Sequence, residues 1–197
     1  MRSRARIAPL PANDERLDRR FRDLADRIGY EPAAILTMAK KADFPDPVLA
    51  LAGVAVLTQE GLDPELRALV ACEATRASGS FYTATHLVHS ANHQQDIGWD
   101  KLSDLPQYRS SLLYSEKEKA ALSIASAGGT LPVGDVDKAF EEARKFFTDD
   151  ELVEIVATVA SISLFSHWNG MMATDLEDIP AVVVEHVAWL TNLRPGT

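Results

Sequence analysis

Apolar positions recur at helical spacing along nearly the whole chain. Between residues 14 and 28, Leu17, Phe21, Leu24 and Ile28 fall three and four apart, one face of a helix. Asn13 is placed to cap this segment and Gly29 to stop it. Pro32 suits the first position of a helix over 32–40. Pro45 and Pro47 open a further one, apolar enough over 48–59 to be buried, and Gly61 ends it. Asp63-Pro64 pairs an N-cap with a first-turn proline and begins a helix to about residue 77. Ser78-Gly79-Ser80 breaks it, and another helix follows from 80 to about 97. Residues 99–115 read as a loop with a short turn. Ser115 with Glu118, and Thr148 with Glu151, form capping-box pairs that start helices at about 116–127 and 149–172. Between them, Asp135 starts a helix reaching about 147, and 180–192 is a candidate terminal helix. No segment alternates with period two, so the pattern predicts an all-α bundle of roughly eight to ten helices.

Composition narrows what such a bundle does. The 197 residues suit one small domain, with 46% apolar and 25% charged residues. Net charge is −9, which argues against nucleic acid as a partner. The charge is uneven: residues 1–27 hold 8 of the 20 Lys and Arg against 5 acidic residues. We therefore expect a basic N-terminal arm over 1–13, with Arg2, Arg4 and Arg6, ahead of a single helical domain over 14–197. The arm lacks an apolar core of the secretory type and is expected to lie on the body or on a neighbouring subunit. Apolar runs such as 152–165 are too short and too interrupted by charge to span a bilayer, and a cytoplasmic location is expected. The segments 48–59 and 152–165 carry more apolar surface than a small bundle covers, which points to a homo-oligomer.

Chemistry concentrates on the helix after the Ser-Gly break. Tyr82, His86, His89 and His93 are spaced 4, 3 and 4 and share one stripe. His86 and His93 lie about 10 Å apart along the axis, so one ion cannot bind all three histidines. Three readings remain open for the stripe: a metal site built on a histidine pair, acid–base chemistry by one histidine with Tyr82, Ser80 or Thr83 beside it, or a polar stripe at an interface or wet cavity without turnover. Cys72, the single cysteine, follows Leu69, Val70 and Ala71 and reads as a small core residue. Glu73 either reaches the stripe or, by the favoured reading, is a solvated face charge. His167 and Trp168, late in the long helix, read as packing or interface residues. No P-loop, GxSxG, GxGxxG or EF-hand pattern is present.

The stretch LDPELRALVACEATRASGSFYTATHLVHSANHQQDIG, from residue 62 to 98, resembles the core of the carboxymuconolactone decarboxylase-like superfamily, whose best-known type is alkylhydroperoxidase D (AhpD). Residues 14–60 and the segment from Tyr114 to Pro180 look like the flanks of its peroxidase-related branch. The resemblance implies an AhpD-like helical bundle that assembles as a dimer, trimer or hexamer. It departs from the family at the CxxC pair. With the Ser-Gly break aligned, the two redox positions fall on Ser80 and Thr83 and the family's acidic residue on Ala68; His86 matches the histidine one residue early. A frame shifted by one puts Gly79 and Tyr82 there instead, and no thiol pair results either way. Peroxide reduction by this family needs an attacking and a resolving thiol, so thiol peroxidase activity is expected to be absent.

The sequence thus supports a cofactor-independent lyase, isomerase or hydrolase acting on a small molecule. His86 would be its acid–base group with Tyr82, Thr83 and Ser80, and His89, His93, Glu73 and Trp168 are candidate substrate contacts; no metal is assigned. The alternatives are a ligand-binding or scaffold protein, whose pocket would be filled by Phe81, Tyr82 and Trp168, and a metal-binding histidine stripe.

Overall fold

A computed structural model describes residues 4–17 and 19–194. The first three residues of the expected arm, Arg2 among them, and Asp18 of the first expected helix lie outside the described residues. Ten α-helices and three short 3₁₀ segments follow in order, with no strand among the described residues.

The centre is a helical hairpin, α4 (Pro64–Ser78) and α5 (Phe81–Gln95). Asp63 caps α4 by accepting from the Leu66 amide at 2.9 Å, with Pro64 in the first turn where its missing N–H costs nothing. Gly79 turns the chain between the helices at φ 72°, a left-handed conformation that an L side chain resists. Helix α4 packs between α5, α7 (Glu116–Gly128) and α9 (Asp149–Met172). Both expected capping boxes, Ser115 with Glu118 and Thr148 with Glu151, form at the starts of α7 and α9.

Apolar side chains gather in three clusters. One joins Leu66, Val70, Ile124, Ile155 and Ile162 along α4, α7 and α9. A second sets Leu69, Val88, Leu122 and Leu190 on the other side of α4, with Trp189 from the C-terminal segment. The third holds Phe21 of α1 (Arg19–Ile28), Ile35 and Met38 of α2 (Ala33–Met38), and Val48 and Leu49 of α3 (Pro45–Ala55), beside Phe165 and Trp168 of α9. The N-terminal segment lies on this third cluster. Leu10 is buried, its amide donates to the Leu36 carbonyl at 3.2 Å, and the Arg6 amide donates to the Met172 carbonyl at 2.9 Å.

Several elements differ from the sequence pattern. Residues 12–17 form turns rather than a helix opening at Asn13. Helix α3 opens at Pro45 as expected but ends at Ala55, short of Gly61, and is only partly buried: Val54 is 72% exposed. Residues 99–115 contain a helix, α6 (Trp99–Ser103). Helix α8 spans only Asp137–Ala143. The terminal helix expected over 180–192 is instead α10 (Asp178–Ala181) followed by 3₁₀ turns, although Val183, Val187 and Leu190 are buried at helical spacing.

Candidate active site

Helices α1, α2, α3, α5 and α9 enclose a cleft of about 140 Å³. Its walls are mainly aliphatic, from Leu24, Ile28, Ile35, Leu49, Val56 and Ile162 among others. Polar groups enter from three places: Tyr30, from the loop between α1 and α2; Tyr82, Thr83, His86 and Ser90 of α5; and Asn169 of α9.

His86 stands at the centre of a chain of hydrogen bonds. Its Nε2 lies 2.7 Å from Glu177 Oε2, and its Nδ1 lies 2.8 Å from the Tyr30 hydroxyl. Glu177 precedes α10, and its other oxygen, Oε1, accepts from the Tyr82 hydroxyl at 2.8 Å and from the Ala33 amide at 2.5 Å. The Ala34 amide donates to the Tyr82 oxygen at 3.3 Å, so the tyrosine bridges α2 and the carboxylate. Gly29, at φ 84°, makes the left-handed turn that ends α1 and sends Tyr30 toward α5.

Electrostatics fix the direction of the chain. Burial raises the Glu177 carboxyl, but the hydrogen bond from His86, the attraction of that ring when it is protonated, and the Ala33 amide outweigh it, and the carboxyl lies below its ordinary 4.5. Glu177 is therefore an acceptor-only carboxylate near neutrality, and Nε2 of His86 carries the proton it accepts. In the neutral imidazole Nδ1 is then bare and takes the Tyr30 O–H. Burial, with the Glu177 charge nearby, pushes the Tyr30 phenol above its ordinary 10, so it keeps the proton it donates. The same causes raise Tyr82.

The other residues singled out by sequence fall into distinct places. Thr83 lines the cleft and accepts from Ser80 Oγ at 2.9 Å and from Asn169 Nδ2 at 3.1 Å; Ser80 is outside the lining. His89 is buried outside the lining, stacked on His93 with ring centroids 4.1 Å apart. Burial, then the neighbouring His93 and His86, lowers His89 to about 4. His93 Nδ1 lies 3.1 Å from the His89 carbonyl oxygen. Trp168 packs on Phe44 and does not reach the cleft. The expectation of a solvated Glu73 is overturned. Its side chain is fully buried and accepts two 2.7 Å bonds from Arg76, because it faces the second core cluster and not the solvent. Cys72 is also fully buried, and burial and then the Glu73 charge push its thiol up. No group of three or more His, Cys, Asp or Glu among the described residues is placed to hold a metal ion.

Tyr30, Glu177 and Asn169 escaped the sequence reading. They stand 56 and 91 residues from His86 and 86 from Thr83 respectively, in two loops and late in α9. Only the turn signals at Gly29 and Pro32 hinted that Tyr30 is held in place.

Solved structures share this architecture. The debrominase Bmp8 aligns at 26% identity over 96% of this chain and 97% of its own, with a TM-score of 0.83; that structure is a cysteine-to-alanine variant in complex with 2,3,4-tribromopyrrole. An uncharacterized peroxidase-related protein from Silicibacter aligns at 17% identity over 89% of this chain and 95% of its own, TM-score 0.72. A peroxidase-related protein from Ralstonia eutropha with the alkylhydroperoxidase AhpD core aligns at 18% over 88% and 94%, TM-score 0.69. No family model matches the chain, and no curated protein matches it. The chain has the AhpD-like fold, as the motif at 62–98 implied. No helix among the described residues is long and apolar enough to cross a membrane.

Proposed function

We propose that this protein is a cofactor-independent enzyme that moves a proton on a small, largely apolar ring compound. The observation that carries the reading is the Tyr30–His86–Glu177 chain, whose Tyr30 and His86 line a cleft of about 140 Å³ while Glu177 stands behind them. An apolar cavity of roughly 150 Å³ holds one benzene-sized ring. The small halogenated ring bound by Bmp8 is a ligand of similar scale and supports the same reading.

Tyr30 is the group that meets substrate, because both ring nitrogens of His86 are occupied. A substrate C–H gives its proton to the Tyr30 oxygen as the tyrosine's own proton passes to His86 Nδ1. The imidazolium formed is stabilised by Glu177, and the reverse transfer returns a proton to another carbon, giving an isomerisation. Tyr82 holds the carboxylate in register; its hydroxyl is committed at both ends. Phe81, Tyr82 and Trp168 leave the cleft open, which favours turnover over a filled, inert pocket. Thiol peroxidase chemistry is not part of this reading: the one thiol is buried and has no second cysteine to pair with. Exposed Leu51 and Val54 on α3, with Val153 and Val156 on α9, support assembly as a homo-oligomer.

The test is uptake of deuterium from heavy water into small cyclic ketones and diketones, followed by NMR. Wild type should exceed the buffer rate, and Tyr30→Phe and His86→Ala should fall to it with the helical circular dichroism unchanged. Exchange by wild type no faster than buffer overturns the reading.

A further inference from the structure

The cleft has a second polar pole, and its hydrogens can be counted. Thr83 is 5% exposed and Asn169 4% exposed, and both line the cleft. The Thr83 oxygen already accepts from Ser80 and from Asn169 Nδ2, which fills both of its lone pairs. Asn169 Oδ1 accepts from the Thr174 hydroxyl at 2.9 Å, which fixes the amide with its nitrogen toward Thr83. Two hydrogens remain uncommitted in this buried group: the Thr83 O–H and the second N–H of Asn169. A buried donor without an acceptor is costly, and here both belong to side chains that line the cavity. Thr83 stands one helical turn before His86 on α5, so the donor pair and the proton chain serve the same cleft.

We infer that Thr83 and Asn169 form an oxyanion subsite, and that the substrate is therefore a ring carbonyl compound that reacts through its enolate. This rests on the proton-transfer reading above. The step balances within the site. The α-carbon loses its proton to the Tyr30 oxygen while the Tyr30 proton passes to His86. The C–H pair becomes the C=C bond of the enolate, and the carbonyl π pair moves onto oxygen. That oxygen receives the Thr83 O–H and the Asn169 N–H, which strengthen as its charge develops. With the Ser-Gly break aligned, Thr83 sits at a position where the resembled family carries a redox thiol; a hydroxyl there stabilises an anion instead of attacking a peroxide.

The test uses 4-nitrophenolate as an enolate mimic and benzene as a neutral ring of the same size, each titrated into wild type, Thr83→Val and Thr83→Ser. Nitrophenolate should bind wild type and Thr83→Ser alike and bind Thr83→Val at least tenfold more weakly. Benzene should bind all three equally, which shows that the cleft survives the substitution. Equal nitrophenolate affinity for wild type and Thr83→Val overturns the subsite and leaves the proton chain standing. Failure of benzene and nitrophenolate alike to bind wild type overturns the ring-binding reading beneath it.

Discussion

Replacing Glu177 by glutamine removes a charge while keeping the shape, and the structure sets how much this should cost. One carboxylate oxygen serves two donors, the Ala33 amide and the Tyr82 hydroxyl, and the other serves His86. The amide oxygen of glutamine will take the side with two donors. Its NH₂ then faces Nε2–H of His86, donor against donor, and the imidazole must move its proton to Nδ1, against the Tyr30 hydroxyl. A hydrogen bond to a charged group contributes about 1.5–3 kcal/mol, and its neutral counterpart about half that. The Glu177 side chain is 18% exposed, so some screening applies and the low end is appropriate. With the NH₂ donating to Nε2 and the Tyr30 oxygen accepting from Nδ1–H, no bond is lost but three lose their charge, so the expected loss is about 2 kcal/mol, a fall in Tm of about 4–8 °C for a chain of this size. The pH dependence follows from linkage. The folded-state carboxyl lies below its ordinary 4.5, so its contribution is fully present above that value and is lost as pH falls through the folded pKa. Carboxyls other than Glu177 titrate in both proteins and cancel in the difference. Thermal melts of wild type and Glu177→Gln should therefore differ most at neutral pH and converge in acid. A gap of the same size at every pH, or less than about 1 kcal/mol at pH 7, would refute the reasoning.

Three further outcomes follow from the packing around the site. Arg67 is 1% exposed and binds the Glu60 and Leu62 carbonyls and Glu154, so Arg67→Met should cost about 3 kcal/mol by denaturant unfolding; a loss under 1 would show that the pair is dispensable. A Cβ at Gly129 would lie 2.4 Å from the Ala74 carbonyl oxygen, so Gly129→Ala must push α7 from α4 and lower stability by about 1–3 kcal/mol; an unchanged melting temperature contradicts that close approach. His89 should titrate near pH 4 in an NMR series, and His89→Gln should flatten the rise of stability with pH between about 4 and 6.5, where the unfolded chain binds the proton and the folded one does not; titration near 6.5 contradicts this burial.

What could be read from the sequence was what is local. Asp63, Ser115 and Thr148 each bond an amide three residues ahead, so spacing alone located the starts of α4, α7 and α9. The stripe on α5 was legible for the same reason, and Tyr82 and His86 of that stripe line the cleft. Spacing could not tell which stripe residues stand away from the cleft: buried His89 stacks on exposed His93. Glu73 was misread because a carboxylate beside an arginine three residues on looks the same whether the pair is wet or buried. Tyr30, Glu177 and Asn169 reach α5 only through tertiary packing, and no local period encodes them.

The proton chain through His86 carries the proposed function, and histidine-selective ¹⁵N NMR at a pH where the imidazole is in its neutral form reads it directly. In wild type, Nε2 of His86 should carry the proton and Nδ1 should be bare and hydrogen-bonded; in Glu177→Gln the protonated nitrogen should become Nδ1. A wild-type His86 protonated on Nδ1, facing Tyr30, would mean that Tyr30 has no acceptor for its proton and that the chain does not run as the geometry indicates.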